Sequence, residues 1–272
     1  MGKSWLTGKK VIITGSSSGI GREIVELLLK KYSCTVIGVS RNREKAERVE
    51  KEIANFSSQY SKYCFDVSEL DGWIEFSSYL SKINFVPDLV INNAGMLPTF
   101  KSVLKTDIVD IENVLKTDFL SAVYSFKSIY GKNGYPAFVN VSSSASLASL
   151  AGTSSYSAAK SALRAFTECL SAELKKKTYI AVVCPGFTKT DIFKNQKQAI
   201  DQGIVGKISM PVKKMAKKIV RGISRRKKKM VFGKDAHLMS VFARCMPTKS
   251  TYVMSSVLKM SKMSIFEEVF DE

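Results

Sequence analysis

Residues 10–31 constrain this chain more than any other stretch. Lys10-Val-Ile-Ile-Thr14 reads as a short strand, Ile20–Lys31 as an amphipathic helix, and Gly15-Ser-Ser-Ser-Gly-Ile-Gly21 joins them. Glycines at 15, 19 and 21 let the backbone turn tightly and approach a pyrophosphate, with unpaired N–H groups at the helix start to receive it. A glycine triplet alone is a weak signal; after the first strand of a βαβ unit it predicts dinucleotide binding. Ser17, Ser18 and Ile20 fall inside the same turn and are expected on the cofactor.

The rest of the first two-thirds keeps that rhythm. Strands are predicted at Cys34–Val39, Tyr63–Val67, Asp88–Asn92, Ala137–Val141 and Tyr179–Val183, with a seventh at Lys229–Phe232. Helices are predicted around Arg43–Ala54, Asp107–Tyr130 and Ser155–Lys176, the last with Leu163, Phe166, Leu170 and Leu174 three and four residues apart. No internal repeat or linker divides the 272 residues, so one α/β domain is expected, with residues from about 187 onward as an appended lid and basic amphipathic segment.

The second strand ends in Ser40-Arg41, with Arg43 close behind. A carboxylate there would hold a ribose 2′-hydroxyl, whereas a guanidinium grips a 2′-phosphate, so NADP(H) is favoured. The other reading is a solvated charge at the strand end. Asp66-Val67 is placed to accept from an adenine amino group, and the amides of Asn92-Asn93-Ala94-Gly95 to fix neighbouring backbone; turn chemistry accounts for either.

Tyr156-Ser-Ala-Ala-Lys160 puts a phenol and an ammonium on one helix face. A phenol is a poor base at neutral pH, but a nearby cation favours the phenolate and brings proton transfer into range. Ser143, just past the fifth strand, is placed to steady a substrate oxygen. Together these motifs resemble the short-chain dehydrogenase/reductase family over roughly residues 9–192: TGxxxGIG at 14–21, NNAG at 92–95, Ser143, YxxxK at 156–160 and PGxxxT at 185–190.

That resemblance implies a Rossmann-type doubly wound parallel sheet in the order 3-2-1-4-5-6-7, helices on both faces and cofactor across the carboxyl ends of the strands. It implies Tyr156 as general acid/base, Lys160 tuning Tyr156 and bonding the nicotinamide ribose, and Ser143 polarising the carbonyl. Pro185, Gly186, Thr188 and Thr190, with the backbone near Ile20 and Phe187, would hold the nicotinamide end. The family usually has an asparagine on the long fourth helix; here the matching place is Asp118, with Asn113 the alternative one turn away. A carboxylate beside Lys160 would partly cancel the field on Tyr156 and shift the pH optimum to the alkaline side. The family also implies a homo-oligomer, dimer or tetramer, although the glycine-rich terminal strand that builds many of its tetramers is missing.

Charge sets the remaining expectations. The chain carries +18, and residues 203–272 hold sixteen Lys and Arg against five Asp and Glu. Such a field attracts anions, from a phosphorylated cofactor to acidic lipid. The stretches 237–246 and 252–263 are amphipathic and rich in Met: either two helices packed by the substrate cleft, or a surface that docks on anionic membrane. Specific nucleic-acid binding is not expected, because nothing aromatic interleaves with Arg225-Arg-Lys-Lys-Lys229.

Five cysteines without a CxxC pair, no visible secretory signal and no apolar run of spanning length point to reduced, buried thiols in a cytoplasmic protein; no metal site is expected. The leading reading is an NADP(H)-dependent oxidoreductase on a lipophilic ketone or secondary alcohol. The alternatives are a nucleotide sensor without turnover, or a surface-associated protein acting through its basic tail.

Overall fold

The apolar run Val11-Ile12-Ile13 is buried on both sides, as a central parallel strand requires: Val11 and Ile13 face one core layer and Ile12 the other. In a computed structural model, which describes residues 4–190, 206, 209–260 and 267–270, this strand, β1 (Lys10–Thr14), pairs parallel with β2 (Thr35–Ser40) and β4 (Leu89–Asn92). With β3 (Tyr60–Cys64), β5 (Ala137–Val141), β6 (Ile180–Pro185) and β7 (Lys229–Phe232) they form one parallel sheet, in the order β3-β2-β1-β4-β5-β6-β7. The order expected from the sequence is the one observed.

One layer packs α1 (Gly19–Tyr32) and α7 (Val212–Ser224) on the sheet; the other packs α3 (Leu70–Lys82), α5 (Ser121–Ile129) and α6 (Ser154–Glu173). Helix α2 (Arg43–Glu52) covers the β3 edge and is capped by the Asn42 side chain, which accepts from the Lys45 N–H at 2.8 Å. Part of the segment beyond 187 belongs to the core. Strand β7 completes the sheet, and Met215, Ala216, Ile219, Val220 and Ile223 of α7 join the larger core cluster. Helices α8 (Lys234–Cys245) and α9 (Ser250–Met260) lie outside the two layers, and the short α10 (Glu267–Phe270) reaches back to Ser102 and Gly152.

Three local expectations change. Strand β3 lies three residues earlier than predicted, because Phe65 turns into an aromatic cluster with Tyr63, Trp73 and Phe76 and Asp66 closes a turn onto Ser68. The long helix predicted over 107–130 is α4 (Ile108–Leu115) running through a π-turn at Lys116–Leu120 into α5. Of the thiols, Cys34 and Cys184 are buried and Cys64 is half-buried, but Cys169 and Cys245 are exposed. Among the described residues, no helix is long and apolar enough to cross a membrane.

Candidate active site

The carboxyl ends of β1, β4, β5 and β6 open into a cleft of about 540 Å³. Its floor begins at the turn after β1, where Gly15 and Gly19 have positive φ (67° and 53°), a region in which a Cβ is disfavoured. The loop is tied to the end of β4: Thr14 Oγ1 accepts from the N–H groups of Asn93 (3.0 Å) and Ala94 (2.9 Å), and Asn93 Nδ2 donates to the Thr14 carbonyl (3.0 Å). Gly15, Ser18, Gly19, Ile20, Asn93, Ala94 and Gly95 all line the cleft. Gly21 does not; a Cβ on it would fall 2.2 Å from the Gly15 carbonyl oxygen, so its role is close packing beneath the turn. Ser17, half-buried in the turn, also lies off the lining.

At the far end of this floor stand Arg41 and Lys45. Arg41 is 79% exposed and pairs with Asp66 at 3.2 Å. Lys45, in the first turn of α2, escaped the sequence reading; the cue was its position two residues beyond Arg43. Asp66 and Val67 do not line the cleft. The Asp66 carboxylate accepts from Ser68 N (3.0 Å) and Ser68 Oγ (2.8 Å), and the Val67 carbonyl accepts from Trp73 Nε1 (2.9 Å). Ser40 is buried, and its hydroxyl has no hydrogen-bond partner.

The other end of the cleft gathers Ser143, Tyr156 and Lys160, with Asp118 behind them. Strand β5 delivers Ser143, which starts a short 3₁₀ turn and accepts from the Ala145 N–H (3.2 Å). Tyr156 lies on the first turn of α6, and its phenol is hydrogen-bonded to the Ser143 hydroxyl. The Lys160 ammonium, on a residue only 4% exposed, lies 5.7 Å from the Tyr156 ring centre, 3.4 Å from the Val141 carbonyl and 3.5 Å from Asp118 Oδ2.

The π-turn brings Asp118 inward. It is buried, whereas Asn113 is exposed, so Asp118 is the residue beside Lys160. Its Oδ1 accepts from the Met96 N–H at 2.7 Å, and Gly95 leaves room for the pair: a Cβ there would lie 3.1 Å from both Asp118 Oδ1 and Lys160 Nζ.

The electrostatics differ from the acidified phenol expected from the sequence. Burial pushes the Tyr156 phenol well above its ordinary value and the Asp118 carboxylate pushes it further, against the opposing hydrogen bond from Ser143. Burial likewise raises Asp118, against the charge of Lys160 and the Met96 N–H.

The outer wall comes from three segments. Met96, Leu97 and Phe100 follow β4, Leu150 precedes α6, and Pro185 ends β6, with Gly186, Phe187, Thr188 and Thr190 after it. Met239 of α8 completes it, packed with Leu150 and Phe187. The expectation that backbone near Phe187 serves a ligand needs one correction: the Phe187 N–H donates to Asp235 Oδ2 at 2.7 Å. Lys45 and Asp235 were outside the sequence reading of the site, whereas Met239 falls in the stretch 237–246 that was expected beside the substrate cleft.

With this geometry in view, comparison with known proteins decides the family. The family model described as short chain dehydrogenase matches residues 9–201. The chain belongs to that family. Like other members, this short-chain dehydrogenase is an oxidoreductase by descent, of a family that binds nicotinamide cofactors.

It is 32% identical to 3-oxoacyl-(acyl-carrier-protein) reductase FabG of Chlamydia pneumoniae over 193 residues, 69% of this chain and 76% of that one. It is 26% identical to 3-ketodihydrosphingosine reductase of Bos taurus over 277 residues, 97% of this chain and 82% of that one. Among solved structures, L-sorbose reductase from Gluconobacter frateurii, complexed with NADPH and L-sorbose, superposes with a TM-score of 0.74 at 20% identity, covering 84% of this chain and 96% of that one. A short-chain dehydrogenase from Burkholderia phymatum in complex with NAD reaches 0.79 at 19% identity, covering 91% and 96%. At such identities the structural matches speak for the fold.

Proposed function

We propose that this short-chain dehydrogenase reduces a lipophilic ketone to a secondary alcohol with NADPH, using Tyr156 as the proton donor. The observation that carries the reading is the convergence of Ser143, Tyr156 and Lys160 at one end of a cleft with Gly15–Ile20, Arg41 and Lys45 at the other. The cleft suits the cofactor. The positive-φ glycines at the start of α1 leave backbone N–H groups for a pyrophosphate, and two cations stand where a 2′-phosphate would lie. NADPH, when bound, supplies the hydride.

The chain's own residues supply the rest. The Ser143 hydroxyl hydrogen-bonds the carbonyl oxygen, and the Tyr156 phenol gives that oxygen its proton as negative charge develops. Lys160 steadies the phenolate left behind, and solvent reprotonates it. Burial and the Asp118 carboxylate hold the phenol above its ordinary value, so its protonated, proton-donating form is the one present at neutral pH. Asp118 acts on this step through Lys160 and Tyr156 without reaching the cleft.

Substrate and partner belong to the same reading. Met96, Leu97, Phe100, Leu150, Phe187 and Met239 give the cleft an apolar wall suited to an aliphatic or polycyclic ketone. Beside it, Leu238 and Val241 on α8 and Val253, Val257 and Met260 on α9 are exposed in stripes at helical spacing, flanked by exposed Lys234, Arg244, Lys249 and Lys259. That pattern fits contact with an anionic membrane surface. Exposed Leu104, Ile108 and Val109 offer apolar surface that a homo-oligomer would cover.

The test is NADPH oxidation across a series of methyl ketones of increasing chain length, repeated with NADH. kcat/KM should rise about fourfold per added methylene while the wall is being filled, from about 0.8 kcal/mol per buried CH₂. NADPH should be preferred over NADH at least about tenfold, as expected of a charge-assisted phosphate contact. Absence of turnover with every ketone, or a preference for NADH, contradicts the reading.

A further inference from the structure

Asp235 is a buried carboxylate in a place where sequence gives no reason for one. It lies in the first turn of α8, where an acidic residue usually faces solvent and meets the helix dipole. Here it is only 8% exposed and turned into the loop after β6. A desolvated carboxylate is costly unless it is hydrogen-bonded. Its Oδ2 accepts from the Phe187 N–H at 2.7 Å, while Oδ1 is buried without a hydrogen-bond partner.

Two glycines make room for it. A Cβ on Gly186 would lie 2.2 Å from Asp235 Oδ2, and a Cβ on Gly233, whose φ is +122°, would lie 2.4 Å from Oδ1. The carboxylate therefore fills space that any other residue at 186 would occupy. Burial pushes Asp235 above the usual carboxylate range, while the N–H groups of Phe187 and Ala236 hold it down.

The loop it touches frames the reactive end of the cleft. Pro185, Gly186, Phe187, Thr188 and Thr190 all line it. On its other side the loop is held by a two-residue parallel pairing of Thr188–Lys189 with Met210–Pro211, and one turn beyond Asp235 the same helix places Met239 in the wall. Helix α8 thus grips the loop by a charged hydrogen bond and shapes the pocket by an apolar contact.

The geometry points to Asp235 as a positioning residue: clamped between Gly186 and Gly233, it accepts the Phe187 N–H and fixes the loop on which the nicotinamide half of the cofactor rests. This inference depends on the reading of the cleft as an NADPH site. It makes the C-terminal segment a determinant of cofactor binding as well as of substrate fit.

The test compares two ligands on the full chain. NADPH spans the whole cleft, whereas 2′,5′-ADP reaches only the Gly15–Ile20 and Arg41/Lys45 end. In Asp235→Ala the Kd for NADPH should rise about tenfold, equivalent to about 1.4 kcal/mol, while the Kd for 2′,5′-ADP stays within about twofold of wild type. Asp235→Asn, which keeps an acceptor for the Phe187 N–H, should recover most of the NADPH affinity. Should the alanine variant fail to fold, Asp235→Ser shortens the acceptor and should show the same selective loss.

Unchanged NADPH binding, or an equal loss for both ligands, overturns the role of Asp235 while leaving the NADPH reading intact. Failure of the wild-type chain to bind either ligand overturns both.

Discussion

At the scale of single residues, Asp118 sets the chemistry apart. A carboxylate 3.5 Å from Lys160 withdraws part of the positive field that would otherwise lower the Tyr156 phenol, and the phenol stands above its ordinary value. Removing that charge should lower the phenol's pKa. In Asp118→Asn the alkaline limb of the pH–rate profile should move to lower pH, by about one unit for loss of one close charge. In the reduction direction activity then falls off at lower pH; in the oxidation direction it rises earlier. A superimposable profile would remove Asp118 from the account.

Much of this site was legible because its residues sit in short local motifs. Ser143, Tyr156 and Lys160 are placed by one strand end and one helix turn. Asp235 was not legible, because it acts through a distant segment: it reaches the cleft only by touching Phe187, 48 residues earlier. Asp66 is the opposite case, a residue tied up locally. Its spacing fits a ligand, but its own neighbour Ser68 and Arg41 satisfy its carboxylate.

At the scale of elements, strands were read well wherever β-branched runs were bounded by turn residues, as at Ala137–Val141. They were misread where an aromatic side chain left the ladder, as Phe65 does after Cys64. The π-turn at Lys116–Leu120 has no sequence signature, yet it brings Asp118 to Lys160.

Helices α8 and α9 show amphipathicity with the apolar face left open. Tyr252 is 76% exposed and Met260 81%, and between 236 and 266 the sequence has no carboxylate. Sedimentation with vesicles should detect binding to phosphatidylglycerol-containing membranes, lost at high salt, and little to pure phosphatidylcholine. A Leu238→Asp, Val257→Asp double variant should bind at least about tenfold more weakly, since two apolar insertions are lost, while reducing a water-soluble ketone at the wild-type rate. Equal binding to neutral vesicles, or no effect of the variant, would contradict a lipid-facing role.

At the scale of the whole molecule, the sheet explains why chemistry gathers at one edge. All seven strands point their carboxyl ends the same way, so the turn after β1, the amides after β4, Ser143 after β5 and the loop after β6 share one cleft. The basic surplus lies elsewhere: Lys213, Lys214, Lys217, Lys218 and Arg221 are exposed on α7, and Arg226 lies 4.8 Å from the Trp5 ring. That surface adds to the molecule's anion-attracting field without entering the site.

The account stands on the Tyr156 hydroxyl as the proton source inside a nucleotide-filled cleft. The direct measurement pairs NADPH binding with single-turnover reduction of a ketone in wild type and Tyr156→Phe. The account predicts that the variant binds NADPH within about threefold of wild type, because the lost group serves chemistry rather than the ground state, and that its turnover falls at least about a thousandfold. Comparable turnover without the hydroxyl would contradict it.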